Sequence, residues 1–220
     1  MLKTNDGRVV RETEDLFIVS FVSVLKVVNA ALDILAISHE LRFETISLNI
    51  GLSAGVPVTE KKSIFEDTIN LAERICTILP GEIIISSEVA ELSGNENVNI
   101  FNGAQNIVIS KPDEELFITQ LMDFIDSAWS DSNLKVDDFS KPTGLSKSQL
   151  YRKLKTLTGK SPNTFLKNYR LKKALALLNK NSGNVSEIAF ETGFTSPSYF
   201  SKCFQKKYGH TPSDFLLAKA

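Results

Sequence analysis

The sequence predicts an α+β chain: a mixed α/β half over residues 1–110, followed by an all-α half over residues 111–220. Three observations lead there. Alternating apolar runs occur only in the first half, interleaved with runs at helical spacing. Beyond Pro112 the apolar runs keep helical spacing, and Gly144, Gly159, Gly183, Gly193 and Gly209 separate most of them. The charge divides at the same place. Residues 1–110 hold 8 Lys+Arg against 15 Asp+Glu, a net of −7, whereas residues 111–220 hold 17 against 11, a net of +6. From Ser146 onward 14 cations stand against 3 acids. A basic block of this kind inside a folded pattern points to a polyanionic partner.

The first half opens with "GRVVRETEDLFIVSF", two β-runs around an acidic turn. From Ser23 to Ser38, Val24, Val27, Val28, Ala31, Leu32 and Leu35 share one helical side, with Lys26, Asn29 and Asp33 opposite. "FETISLNIGLSAG" alternates as a strand and ends in small residues. "SIFEDTINLAERICTIL" places Ile64, Phe65, Ile69, Leu71, Ala72, Ile75 and Ile78 on a broad helical face. "PGEIIISSEVAEL" reads as a turn, a buried strand and a short helix, and "NVNIFNGAQNIVIS" as two edge strands around a glycine turn. Together these give a mixed-sheet α/β unit.

"KPDEEL" marks the boundary, with Pro112 ending the strand and acids opening the next helix. Ser146, Ser161, Ser196 and Thr211 stand where N-caps belong, and Pro162, Pro197 and Pro212 take the first helical position after three of them. In "NVSEIAFETGFTSPSYFSKCFQKKYG", Val185, Ile188 and Ala189 form an apolar face, Gly193 allows a turn, and Ser196 caps a second helix. On that helix Phe200, Cys203 and Phe204 point inward, while Ser198, Ser201, Lys202 and Gln205 face out. "KVDDFSKPTGLSKSQLYRKLK" repeats the grammar: Leu150, Leu154 and Leu157 inside, Ser148, Tyr151, Arg152 and Lys155 outside. The long helix of "FLKNYRLKKALALLNK" lies between. Such a connector would set two helices into successive major-groove segments of a duplex, ~34 Å apart.

"GLSKSQLYRKLKTLTGKSPNTFLKNYRLKKALALL" with "VSEIAFETGFTSPSYFSKCFQKKYGHTPSDF" resembles the double helix-turn-helix domain of AraC-type transcription regulators. The resemblance runs from about Glu114 to Leu217 and includes the GF-x-S-x-SYF signature as Gly193, Phe194, Ser196, Ser198, Tyr199 and Phe200. It implies base contacts from Ser148, Tyr151, Arg152 and Lys155, and from Ser198, Ser201 and Lys202. Phosphate contacts would come from Ser146, Lys147, Lys153, Ser196, Lys206 and Lys207. The chain departs from the family at Ser140, Lys141, Pro142 and Thr143. A proline in the last turn of a short helix costs up to ~3 kcal/mol where its position is interior, so the first unit is expected to be looser than the second.

The acidic half, through "TEDLFIVSF", "SVLKVVNAALDIL", "ISLNIGLSAGVPV", "FEDTINLAERI" and "PGEIIISSEVAEL", resembles the later part of the class III adenylate/guanylate cyclase homology domain. That resemblance implies a partial cyclase-like, ferredoxin-like fold, and a chain that is a fragment or a trimmed descendant. Asp15, Asn70 and Arg74 fall at the family's second metal Asp, its Asn and its Arg. The other metal Asp is absent, and one carboxylate cannot hold a two-metal clamp. These three residues are therefore read as a vestigial nucleotide site, with no catalytic residue, metal or cofactor. Cyclase-type domains pair, which implies a sensing or dimerising role, with a nucleotide or other small-molecule effector and a homodimer as partners. The competing reading is a nucleotidyl cyclase or nucleotide-binding signalling protein.

Composition narrows the rest. The chain has 220 residues, with 42% hydrophobic and 23% charged, ordinary for a globular protein. No apolar run approaches the ~18 residues of a membrane span, and the N-terminus has no secretory pattern. Two distant cysteines, Cys76 and Cys203, fit a reducing cytoplasm. His39 and His210 have no ligand partners near them in sequence, which disfavours a structural zinc site. The expected activity is that of a cytoplasmic, sequence-specific regulator on double-stranded DNA, and of no enzyme.

Overall fold

A computed structural model of the chain describes residues 5–13, 16–41, 48–55, 62–94 and 107–218, with backbone only at 62–65. The chain divides into two compact units, Met1–Thr119 and Gln120–Ala220. That division falls inside a helix, Pro112–Ala128.

In the first unit, β1 (Arg8–Glu12) and β2 (Phe17–Ser20) pair antiparallel, with Arg8 opposite Ser20 and an irregularity between Val9 and Arg11. Next come α1 (Val24–Glu40), β3 (Ile50–Leu52), α2 (Lys62–Ile78), β4 (Ile83–Ile85), α3 (Ser87–Leu92), β5 (Ile107–Ile109) and α4 (Pro112–Ala128). The three-stranded sheet has the order β3-β4-β5 and is parallel throughout, Ile84 facing Gly51 on one side and Val108 on the other. Its central strand is all isoleucine and wholly buried, as expected of a strand covered on both faces. Ile83 and Ile85 pack with Val28, Ala31 and Leu35 of α1, with Leu52 and with Val89. The helix α2 packs on β3 and β4. There the approach is so close that a Cβ on Gly51 would lie 2.1 Å from the Ala72 carbonyl oxygen, so only glycine fits.

This sheet corrects one expectation. In a ferredoxin-like sheet the strands of a βαβ unit are split by another strand. Here β3, β4 and β5 are direct neighbours, and the described strands form one antiparallel and one parallel sheet instead of a mixed one. The connections explain it: β3 to β4 runs through a helix of 17 residues, a crossover that returns the chain to pair parallel, whereas the short β1–β2 connection can only make a hairpin. The start of "FETISLNIGLSAG" and the first of the two strands expected in "NVNIFNGAQNIVIS" lie outside the described residues. At the carboxyl ends of β4 and β5, the Glu115 carboxylate accepts from Ser87 N at 2.6 Å, Ser87 Oγ at 2.9 Å and Ser110 Oγ at 2.6 Å, fastening the first turn of α4 to the sheet.

The second unit contains no strand among its described residues. A 3₁₀ turn (Val136–Phe139) leads into α5 (Ser140–Thr143), α6 (Lys147–Thr158), α7 (Pro162–Asn179), α8 (Val185–Glu191), α9 (Pro197–Tyr208) and α10 (Pro212–Leu217). Leu171, Ala174 and Leu178 of α7, Ile188 and Ala189 of α8, and Phe194, Phe200 and Phe204 form one core. Leu150, Leu154 and Leu157 of α6 are buried, as is Phe139, whose ring meets Phe124 edge-on at 5.5 Å. Pro142 is the third of the four residues of α5, a single turn that continues directly from the 3₁₀ turn. Thr143 Oγ1 donates to the Phe139 carbonyl at 2.7 Å, and Gly144 closes the turn at φ 65°.

Candidate nucleic-acid interface

Two helix pairs carry the candidate surface, and the same devices build both. In the first, Gly144 breaks the chain and Ser146 caps α6: its Oγ accepts from Gln149 N, and Gln149 Oε1 accepts from Ser146 N at 2.9 Å. Each satisfies a donor that the helix start would leave bare. In the second, Asn184 caps α8, accepting from Ser186 N and Glu187 N at 3.0 Å. Gly193 then turns the chain at φ 77°, and Ser196 caps α9 by accepting from Tyr199 N at 3.3 Å. Arg170 of α7 lies against that turn: a Cβ on Gly193 would sit 2.9 Å from its guanidinium. Arg170 Nε donates to the Trp129 carbonyl at 2.7 Å and Nη2 to the Asp131 carbonyl at 2.6 Å. The turn, the connecting helix and the segment after α4 are thus clasped by one side chain, which sequence reading missed because an exposed-looking helical arginine carries no local signal.

Counting from the two cap serines aligns the faces. Two, five and six residues beyond Ser146 stand Ser148, Tyr151 and Arg152; at the same offsets from Ser196 stand Ser198, Ser201 and Lys202. These offsets share one side of a helix. Ser148, Tyr151, Arg152, Ser198 and Lys202 are exposed, and Ser201 is half-buried. Four residues beyond each cap, Leu150 and Phe200 are fully buried, so the outward sides are fixed. Both helices end on a left-handed glycine, Gly159 and Gly209.

The remaining expected contacts are placed as follows. Lys155 Nζ donates to the Gly159 carbonyl at 2.6 Å, closing the end of its own helix, and must leave that oxygen to reach a base. Lys147 Nζ pairs with Asp137 at 2.8 Å on the surface. Lys153 is half-buried, whereas Lys206 is exposed. Lys207 is exposed overall but its amine is turned back onto α7, donating to the Asn168 carbonyl at 2.9 Å, and this partial desolvation, with Lys160 and Lys172, lowers the amine to about 8. Ser146 and Ser196 use their oxygens as helix caps, which leaves each hydroxyl proton to donate. Two outward residues had been given no contact. Tyr199 is 53% exposed beside Ser198, its hydroxyl raised by hydrogen bonding to Cys203. Gln205, exposed, stands at the offset of Lys155. Aligning the two units on their cap serines would have found the second.

Comparison with known proteins follows the same division. A family model described as "Helix-turn-helix domain" matches residues 139–218. A protein named histidine kinase P4 from Formosa agariphila is 40% identical over 109 residues, 50% of this chain and 8% of its own length. The HTH-type transcriptional regulator MtrA of Neisseria gonorrhoeae is 26% identical over 177 residues, 78% of this chain and 55% of its own. Residues 139–218 of the basic half thus match a helix-turn-helix domain, and a relative named as an HTH-type transcriptional regulator aligns along much of the chain. The chain spans at most about half the length of these two curated relatives. A solved AraC-type DNA-binding-domain protein of Chromobacterium violaceum shares 26% identity at a TM-score of 0.43, covering 46% of this chain and 90% of that one.

Outside the helix-turn-helix domain, Asn70 and Arg74 lie one turn apart on α2, both half-buried. Asp15, their expected companion, lies outside the described residues. Among the described residues no three His, Cys, Asp or Glu side chains gather to hold a metal ion. No described helix is long and apolar enough to cross a membrane.

Proposed function

We propose that the chain is a sequence-specific regulator of transcription that binds double-stranded DNA through α6 and α9, set in successive major-groove segments. One observation carries this reading: two capped helices, each offering a Ser and a cation at matched offsets on an exposed side, within the stretch that matches a helix-turn-helix domain. Ser148, Tyr151 and Arg152 read bases in one segment, and Ser198, Ser201 and Lys202 in the next. Lys155 joins them once released from Gly159. Arg152 is suited to the acceptor pair of guanine, and serine to either donor or acceptor edges. Phosphates engage Ser146, Ser196, Lys147, Lys153 and Lys206, supplying a salt-dependent affinity.

The N-terminal half serves sensing or pairing, a role supported by the apolar side chains it exposes. Val9, Val10 and Phe17 of the β1–β2 hairpin and the nearby Val22 are largely exposed, which suits contact with a second copy. The experiment is in vitro selection of duplexes from a random pool at two salt concentrations. A recurrent bipartite motif, retained at the higher salt, supports the reading; pools that stay random while binding vanishes with salt refute it.

A further inference from the structure

We propose that Arg170 is a positioning residue for base reading by α9, and by α9 alone. The inference rests on the proposed function and deepens it at the second helix-turn-helix. The turns that lead into α6 and α9 differ in what covers them. Gly144 is exposed, and a Cβ placed on it would meet no heavy atom within 4 Å. Gly193 is buried together with Thr192 and Phe194. A Cβ there would lie 2.9 Å from Nε and Cζ of Arg170 and 3.0 Å from the Ser130 carbonyl oxygen. The second turn is therefore closed by one side chain of α7 and by the residues that follow α4.

Arg170 Nε donates to the Trp129 carbonyl at 2.7 Å and Nη2 to the Asp131 carbonyl at 2.6 Å. Those carbonyls flank Ser130, so one planar fork fixes the three residues against the turn. The acceptors are themselves held. The Trp129 ring meets Tyr169 edge-on at 6.5 Å, and Lys173 Nζ lies 5.7 Å and 5.1 Å from the two ring centroids. Tyr169 in turn donates to Asp126. Tyr169, Arg170 and Lys173 belong to about one turn of α7, which thus carries the whole fastening. Burial of Phe200 and Phe204 fixes which side of α9 faces out, and the turn fixes the angle at which the helix starts. Hydrogen bonds weaken steeply away from linearity, so Ser198, Ser201 and Lys202 discriminate bases only while that angle is kept. A lysine could not take the place of Arg170: its compact ammonium has no plane to lie against the turn and no fork to span two carbonyls.

The test is fluorescence anisotropy on the whole chain with a selected duplex and two derivatives, each scrambled in one half of the motif. Wild type, Arg170→Ala and Arg170→Lys are compared at two salt concentrations, well below the melting temperature of each. The half read by α9 is the one at which Lys202→Ala loses discrimination. At that half Arg170→Ala should lose discrimination roughly tenfold, with the other half and the salt dependence unchanged. Arg170→Lys keeps the charge and one carbonyl contact, so it should show a smaller loss at the same half; where Arg170→Ala does not fold, this variant decides. Equal losses at both halves would make Arg170 a general structural residue, and a shallower salt dependence would make it a phosphate contact. Unchanged discrimination in both variants would mean that α9 is placed without it. Each of these results overturns the proposal. A wild type that discriminates at neither half fails before any variant is compared, and refutes the proposed function along with this inference.

Discussion

Arg152 and Lys202 hold the same place on two different helices, six residues beyond a serine cap, and both are exposed. Replacing either with alanine should weaken binding to the selected motif by ~1–3 kcal/mol and leave binding to random duplex nearly unchanged. Fluorescence anisotropy on both duplexes checks this; equal losses on the two would make these side chains phosphate contacts instead. At Tyr208, burial raises the phenol to about 12 from an ordinary 10. The folded state then keeps a proton that the unfolded chain releases, so this contribution to stability is intact below pH ~10 and is lost progressively between ~10 and ~12. Melting temperatures across that range should fall, and Tyr208→Phe should flatten the fall. The outward residues were legible because helical spacing assigns sides without knowledge of neighbours. Lys207 was not: it follows Lys206 in sequence, yet the hundred or so degrees between consecutive residues turn it onto α7.

Capping chemistry makes the helix-turn-helix elements nearly independent of tertiary context, and here sequence and structure agree closely. All four expected caps, Ser146, Ser161, Ser196 and Thr211, accept a backbone N–H from the third helical residue. Ser196→Ala should cost about 1 kcal/mol in urea unfolding. Gly193→Ala should cost more, ~1–3 kcal/mol, because its left-handed φ of 77° is strained for any side chain and the added Cβ meets the Arg170 guanidinium. Arg170→Ala alone should also destabilise, because its hydrogen bonds to the Trp129 and Asp131 carbonyls are lost, so the double variant should lose less than the sum of the two single losses.

Across the whole chain, the change from alternating to helical spacing, together with the charge reversal, separated an acidic α/β half from a basic helical one. Strand partners were harder to read. Three-residue strands such as Ile83–Ile85 announce burial on both faces but not which neighbours they take. The parallel order β3-β4-β5 follows from crossover geometry that a list of strands does not contain. For the acidic half, the exposed apolar side chains of the β1–β2 hairpin motivate a test of pairing: if Val9, Val10 and Phe17 lie in a dimer contact, V9K/F17K should convert the chain to monomer in sedimentation velocity. The central claim, that α6 and α9 enter neighbouring major-groove segments on one side of a duplex, is tested most directly by guanine and thymine major-groove interference footprinting on a selected motif. Two patches of interference ~10–10.5 base pairs apart, the first lost in R152A and the second in K202A, are the predicted result. A single patch abolished by either substitution, or interference confined to the minor groove, would contradict it.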